Sequence, residues 1–159
     1  MSTPADITKY LYGCKIIQDT REQEPFIFQD RAVIVRALKT GDYSILGPDG
    51  RDWSLSDIAV ERKSLPDLWG TCFQGHDRFK RELERARDGL MFFCMVVERP
   101  LRDMSVNENQ VEHLIKIPKI LDTWSIKYGL HLRFCNGRES AAVETERLLM
   151  TYVREYLKL

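Results

Sequence analysis

The run Met91-Phe92-Phe93-Cys94-Met95-Val96-Val97 contains no charged or hydrogen-bonding polar side chain, and this constrains the fold more than any other segment. Too short to read as a buried helix, it predicts an interior strand covered on both faces. Covering both faces requires helices above and below a sheet, and the flanking segments supply them. His76 to Asp88 places Phe79, Leu83 and Ala86 at helical spacing, with Gly89 as the stop. Val111, Leu114, Leu121, Trp124 and Tyr128 describe a helix ending at Gly129 that Pro118 must kink or divide. Leu130 to Phe134 reads as a last strand. Ser140 to Leu157 reads as a last helix, with Ala142, Thr145, Leu149, Tyr152 and Tyr156 on one face.

The first half of the chain reads as a meander of strands. Cys14 to Ile17 is a short strand running into the polar turn Asp19 to Pro25, and Ala32 to Leu38 is a β-branched run suited to a buried strand. Thr40-Gly41-Asp42 turns into the strand Tyr43 to Leu46, and a connection opened by Gly47-Pro48-Asp49-Gly50 leads to an antiparallel partner, Asp57 to Lys63. Leu65 to Thr71 forms a short helix with Ser64 as N-cap and Pro66 in the first turn. The order predicts an α/β protein whose mixed sheet is flanked by helices. At 159 residues one domain, 1–159, is expected.

Other chemistries are excluded early. Cys14, Cys72, Cys94 and Cys135 form no C-x-x-C pair, and His113 and His131 have no ligand-like spacing to another His or Cys, so zinc clips and redox motifs find no support. No nucleophile-elbow serine and no Gly-rich phosphate loop is present. No apolar stretch is long enough to span a bilayer and the N-terminus carries no secretion signal, so a cytoplasmic or nucleoid-associated, intracellular protein with reduced thiols is expected. Lys plus Arg balances Asp plus Glu at 24 each, so any grip on a polyanion must come from a local patch.

Strand alternation places Glu61 and Lys63 on one side of their strand and Arg62 on the other. Closing the hairpin brings Asp42 beside Glu61 and Lys63. Two carboxylates are hard oxygen ligands suited to Mg2+ or Mn2+. Such a cation polarises a phosphoryl oxygen and stabilises the departing 3′-oxygen, while Lys63 holds or helps deprotonate the attacking water. The competing reading makes Asp42 a turn residue and Glu-Arg-Lys a solvated strand end. The order of Asp42, Glu61, Lys63 and Asp67 in a strand context favours the metal site.

Asp19 in Asp-Thr-Arg-Glu, Gly41-Asp42-Tyr43, and Glu61-Arg62-Lys63 with Asp67 four residues after Lys63 resemble the nuclease domain of the XPF family of structure-specific endonucleases. The resemblance covers most of the chain. It implies a restriction-endonuclease-like fold that cuts branched or flapped DNA in repair or recombination with Mg2+ or Mn2+. It makes Asp42 and Glu61 metal ligands, Lys63 the catalytic lysine, and Asp67 and Asp19 further acidic members. Arg62 receives a supporting ion pair, and Arg78 a phosphate. Eukaryotic and archaeal members usually carry a tandem helix-hairpin-helix domain after the nuclease. No such Gly-rich hairpins precede Leu159, so a stand-alone nuclease domain is expected, with a separate protein as a candidate DNA-binding partner.

The family commonly dimerises through the nuclease domain, so a homodimer is expected, with the Trp124 and Tyr152 faces as candidates and core packing as their alternative. Arg78, Arg81 and Arg21 head a basic rim for DNA. Its alternative is a solvated helix with Arg78–Glu82 and Lys80–Glu84 pairs at i,i+4. Trp53 and Trp69 could stack on a base, with core packing the simpler role. Two other functions fit the same residues. One is a catalytically silent DNA-binding or dimerisation partner. The other is a restriction-type or repair nuclease of different substrate choice on the same fold.

Overall fold

The computed structural model describes residues 2–159, leaving Met1 of the expected 1–159 domain outside the described residues. Helix α1 (Pro4–Gly13) precedes strands β1 (Lys15–Gln18), β2 (Val33–Val35), β3 (Tyr43–Leu46) and β4 (Ile58–Lys63). Then come α2 (Leu65–Cys72), α3 (His76–Gly89), β5 (Phe92–Val97), α4 (Val111–Leu114), α5 (Ile117–Tyr128), β6 (Leu130–Phe134) and α6 (Arg138–Leu157). The strands form one six-stranded mixed sheet in the order β2-β1-β3-β4-β5-β6. β3 is antiparallel to β1 and β4, whereas β1–β2, β4–β5 and β5–β6 are parallel. Parallel pairs need crossovers: α2 with α3 join β4 to β5, α4 with α5 join β5 to β6, and the irregular segment 19–32 joins β1 to β2.

The period-two alternation of β4 and β5 divides the interior into two cores. Ile58, Val60, Cys94 and Val96 face α6 and meet Leu149, Met150 and Val153. Ala59, Phe93, Met95 and Val97 face the other way, against Leu68 of α2, Phe79 and Leu83 of α3, and Trp124 of α5. Each fully buried large side chain contributes about 1.5–3 kcal/mol relative to exposure, which is why β5 tolerates no polar residue on either face. The α/β, restriction-endonuclease-like architecture expected from the sequence is present.

Several elements differ from expectation. The run Ala32–Leu38 contracts to the three residues of β2, an edge strand on which Val33 and Val35 are exposed. It pairs only with β1, so no second neighbour buries it. Met91 is exposed because β5 begins at Phe92. Pro118 divides the third helix: α4 ends at Leu114 and the proline sits in the first turn of α5, where its missing N–H costs nothing. Helix α1 was not foreseen, although Thr3-Pro4-Ala5-Asp6 is readable as its start. Thr3 caps the Asp6 N–H, the Asp6 carboxylate accepts from the Thr3 N–H, and Pro4 opens the first turn.

Trp124 is buried in the core beneath α5, so its stripe takes the core-packing alternative. Tyr152 is half-buried, its ring against Trp53 and Phe92. Trp53 is fully buried, and Trp69 packs on Phe73 at 4.7 Å between ring centroids. All four cysteines are buried and free. Among the described residues, no helix is long and apolar enough to cross a membrane.

Candidate active site

The end of β4 is where the two cores meet solvent, and its alternation sorts the charged residues. Glu61 and Lys63 continue the Ala59 face, toward α2 and α3, and line a cleft with Asp67, Arg78 and Glu82. Lys63 Nζ lies 3.2 Å from Glu61 Oε1 and 5.2 Å from the centre of the Phe79 ring. Glu61 is buried, so its charge has little water to rely on.

Asp42 reaches this place through a turn that only glycine permits. Gly41 has φ of +78°, and a Cβ there would stand 3.0 Å from Ala59 Cβ and 3.1 Å from the Val60 carbonyl oxygen. The Asp42 N–H donates to the Val60 carbonyl at 2.8 Å, and its own carbonyl accepts from the Asp19 N–H at 2.8 Å. Its carboxylate Oδ2 accepts from the Arg62 N–H at 2.8 Å. The expected convergence of Asp42, Glu61 and Lys63 is thus built by the β3–β4 pairing, with Tyr43 opposite Val60.

The electrostatics bear the mark of gathered acids. Burial pushes the Asp42 carboxyl up to about 7, with Glu22 and Glu82 adding repulsion and the Arg62 N–H and Lys63 opposing it. Burial also raises Glu61 well above the ordinary carboxylate range, helped by Asp42 and Glu82 and opposed by Lys63. Like charges held together out of water disfavour their own ionisation.

The other expected residues fall as follows. Asp67 is exposed in the first turn of α2, where its N–H is capped by Ser64 Oγ at 3.2 Å, and its side chain edges the cleft. Asp19 is buried behind Asp42. Its Oδ1 accepts from the Leu38 N–H at 2.8 Å and its Oδ2 from Arg21 Nε at 2.9 Å. Arg21 is otherwise exposed and feels the charges of Glu82 and Asp42. Arg78 and Arg81 are exposed on α3, with Arg78 lining the cleft. Neither the Arg78–Glu82 nor the Lys80–Glu84 pair forms among the described residues.

Arg62 takes the supporting role that its alternation implied. Its buried guanidinium bonds Glu22 at 2.9 and 3.0 Å and Glu98 at 2.9 Å, and Glu98 also receives Arg138 from the start of α6. Sequence reasoning missed Glu22 as the partner of the Arg62 guanidinium and Glu82 as the acceptor for the Gly41 N–H. Glu82 stands one residue before buried Leu83 and three after buried Phe79, so helical periodicity places it on the flank of the buried stripe. The i,i+4 spacing to Arg78 suggests an ion pair instead, and that pair does not form.

The donor set suits a hard cation. Asp42 and Glu61 offer carboxylate oxygens whose mutual repulsion a divalent charge would relieve. Among the described residues no cluster of three or more His, Cys, Asp or Glu is already at metal-holding spacing. A cation here would keep several water or phosphate oxygens, as Mg2+ commonly does.

Residues 18–147 match the ERCC4 domain. Among solved structures, the fold resembles XPF from Aeropyrum pernix, with a TM-score of 0.67 and 22% identity over 86% of this chain and 60% of that one. XPF from Aeropyrum pernix in complex with DNA matches with a TM-score of 0.65 and 21% identity over 91% of this chain and 65% of that one. The chain therefore spans about three fifths of those proteins' lengths. No curated protein matches it by sequence.

Proposed function

Because this chain belongs to the ERCC4-domain family, a family of DNA endonucleases, we propose that it hydrolyses phosphodiester bonds of branched or flapped DNA in repair or recombination. Asp42 and Glu61 hold Mg2+ or Mn2+, which when bound supplies Lewis-acid activation of the scissile phosphate. Lys63 holds the attacking water and places positive charge where the transition state gathers negative charge. Asp67 is a further acidic member on the rim, and Asp19 serves from behind by bracing the turn through Leu38 and Arg21. Arg78, Arg81 and Arg21 draw the phosphate backbone to the cleft.

The observation that carries this reading is the burial of Glu61 against Lys63 with Asp42 at its side, in a sheet position where neither acid gains stability from being there. A silent DNA-binding partner would have no physical use for that repulsion. Residues 1–159 act as one nuclease domain on this reading, working inside the cell as a homodimer or with a DNA-binding partner protein.

The test is cleavage of linear, flap, splayed-arm and four-way DNA with the metal varied. Wild type cuts one or more branched forms in Mg2+ or Mn2+, and Asp42→Ala and Glu61→Ala abolish cutting while keeping the circular-dichroism spectrum. Cleavage that survives both substitutions, or an inert wild type, rejects the proposal.

A further inference from the structure

We propose that Glu82 is a positioning residue for Asp42, acting through the backbone N–H of Gly41. This rests on the metal-site reading above and names the residue that keeps one of its two ligands in place. Glu82 Oε1 accepts from the Gly41 N–H at 3.1 Å, the link between α3 and the turn that delivers Asp42. The two residues are 41 positions apart in sequence, so the bond closes the sheet end against the helix that carries Arg78.

The turn needs this acceptor. Gly41 is buried, and its left-handed conformation points its N–H away from the β3–β4 ladder, whose bonds begin with the Asp42 N–H. A buried N–H left without an acceptor is costly, and the turn would shift to find one. The turn is not stiffened from within, because a side chain at position 41 would be strained by the positive φ and would crowd Ala59 and the Val60 carbonyl. Glu82 therefore completes a set of restraints on Asp42, with the Val60 carbonyl, the Asp19 N–H and the Arg62 N–H as the others.

A carboxamide at position 82 has the same acceptor oxygen without the charge, and this separates positioning from direct ligation. Mn2+ binding to the full chain without DNA is measured by calorimetry for wild type, Glu82→Gln and Glu82→Ala, alongside the Mg2+ dependence of cleavage. Glu82→Gln is expected to bind Mn2+ close to wild type. Glu82→Ala is expected to bind about tenfold more weakly, the usual scale for a group that orients a ligand, and to recover most of its kcat at saturating Mg2+. Equal impairment of both variants would overturn the inference by making the charge itself the active feature, and an unaffected Glu82→Ala would overturn it outright. If Glu82→Ala fails to fold, weakened Mn2+ binding by Glu82→Gln still rejects the role. A wild type that binds no Mn2+ sinks the metal-site reading instead, so the two failures are distinguishable.

Discussion

The Arg62 N–H donates to Asp42 Oδ2 over 2.8 Å while the Arg62 guanidinium bonds Glu22 and Glu98 on the opposite face of β4. One residue thus joins the candidate metal site to a buried ion network that reaches α6 through Arg138.

Arg62→Met removes the cation but leaves Glu22 and Glu98 in place, the former with its side chain 3% exposed. Breaking one side of a buried ion network is expected to cost about 3–5 kcal/mol, toward the lower end because Arg138 still serves Glu98. Urea denaturation at pH 7 measures it. A loss below about 1 kcal/mol, the scale of a surface pair, would show that the network adds little.

Stability without metal should fall as pH rises. The Asp42 carboxyl is held near 7 in the folded protein against an ordinary 3.8, so the folded state binds the proton more tightly than the unfolded one. That contribution is complete below pH 4 and is lost as pH climbs through about 7. Asp42→Asn keeps the acceptor for the Arg62 N–H and removes the charge. It should be more stable than wild type at pH 8 by a few kcal/mol, on the order of 2–4, with the gap closing toward pH 4 and narrowing when Mg2+ is added to wild type. Thermal melts across pH in chelator check this, and a difference that does not vary with pH contradicts it.

Lys63→Met keeps the apolar stem over Phe79 and removes the ammonium beside Glu61. Cleavage at saturating metal should slow by about 10²–10³-fold, the usual scale for a proton-transfer group, while Mn2+ binding and DNA binding persist. Single-turnover kinetics separate these, and a variant that fails only in metal binding would reassign Lys63 to organising Glu61.

Arg78→Ala and Arg81→Ala should each weaken DNA binding and lower its log–log salt slope by about 1, as expected for loss of one phosphate contact. Titrations at several salt concentrations decide this. An unchanged slope would return either residue to the role of a solvated helix charge.

The apolar run of β5, the Phe79-Leu83-Ala86 stripe and the Gly89 and Gly129 stops are local patterns, and each produced its element. The same holds for Asp42, Glu61 and Lys63. Alternation along a strand and closure of one hairpin are short-range geometry, so the convergence of these three was readable from residues alone. The fate of Val33 and Val35 was not, because an edge strand and a buried strand share the same β-branched composition and differ only in how many neighbours the topology gives them.

Trp124 and Tyr152 were ambiguous for a similar reason: an amphipathic stripe has the same periodicity whether it faces a sheet or a second subunit, and only the packing of α5 and α6 on their cores decides. Glu82 is the sharpest case. In sequence Arg78 stands one helical turn before it, at the i,i+4 spacing of an ion pair. In the folded chain the crossover from β4 through α2 and α3 carries it to the Gly41 N–H, 41 residues distant. Which side chains each strand and helix presents on a given face is legible in the residues, since those periods are properties of the backbone. Which faces then meet is settled in the fold, because it depends on burying both sides of β5 at once.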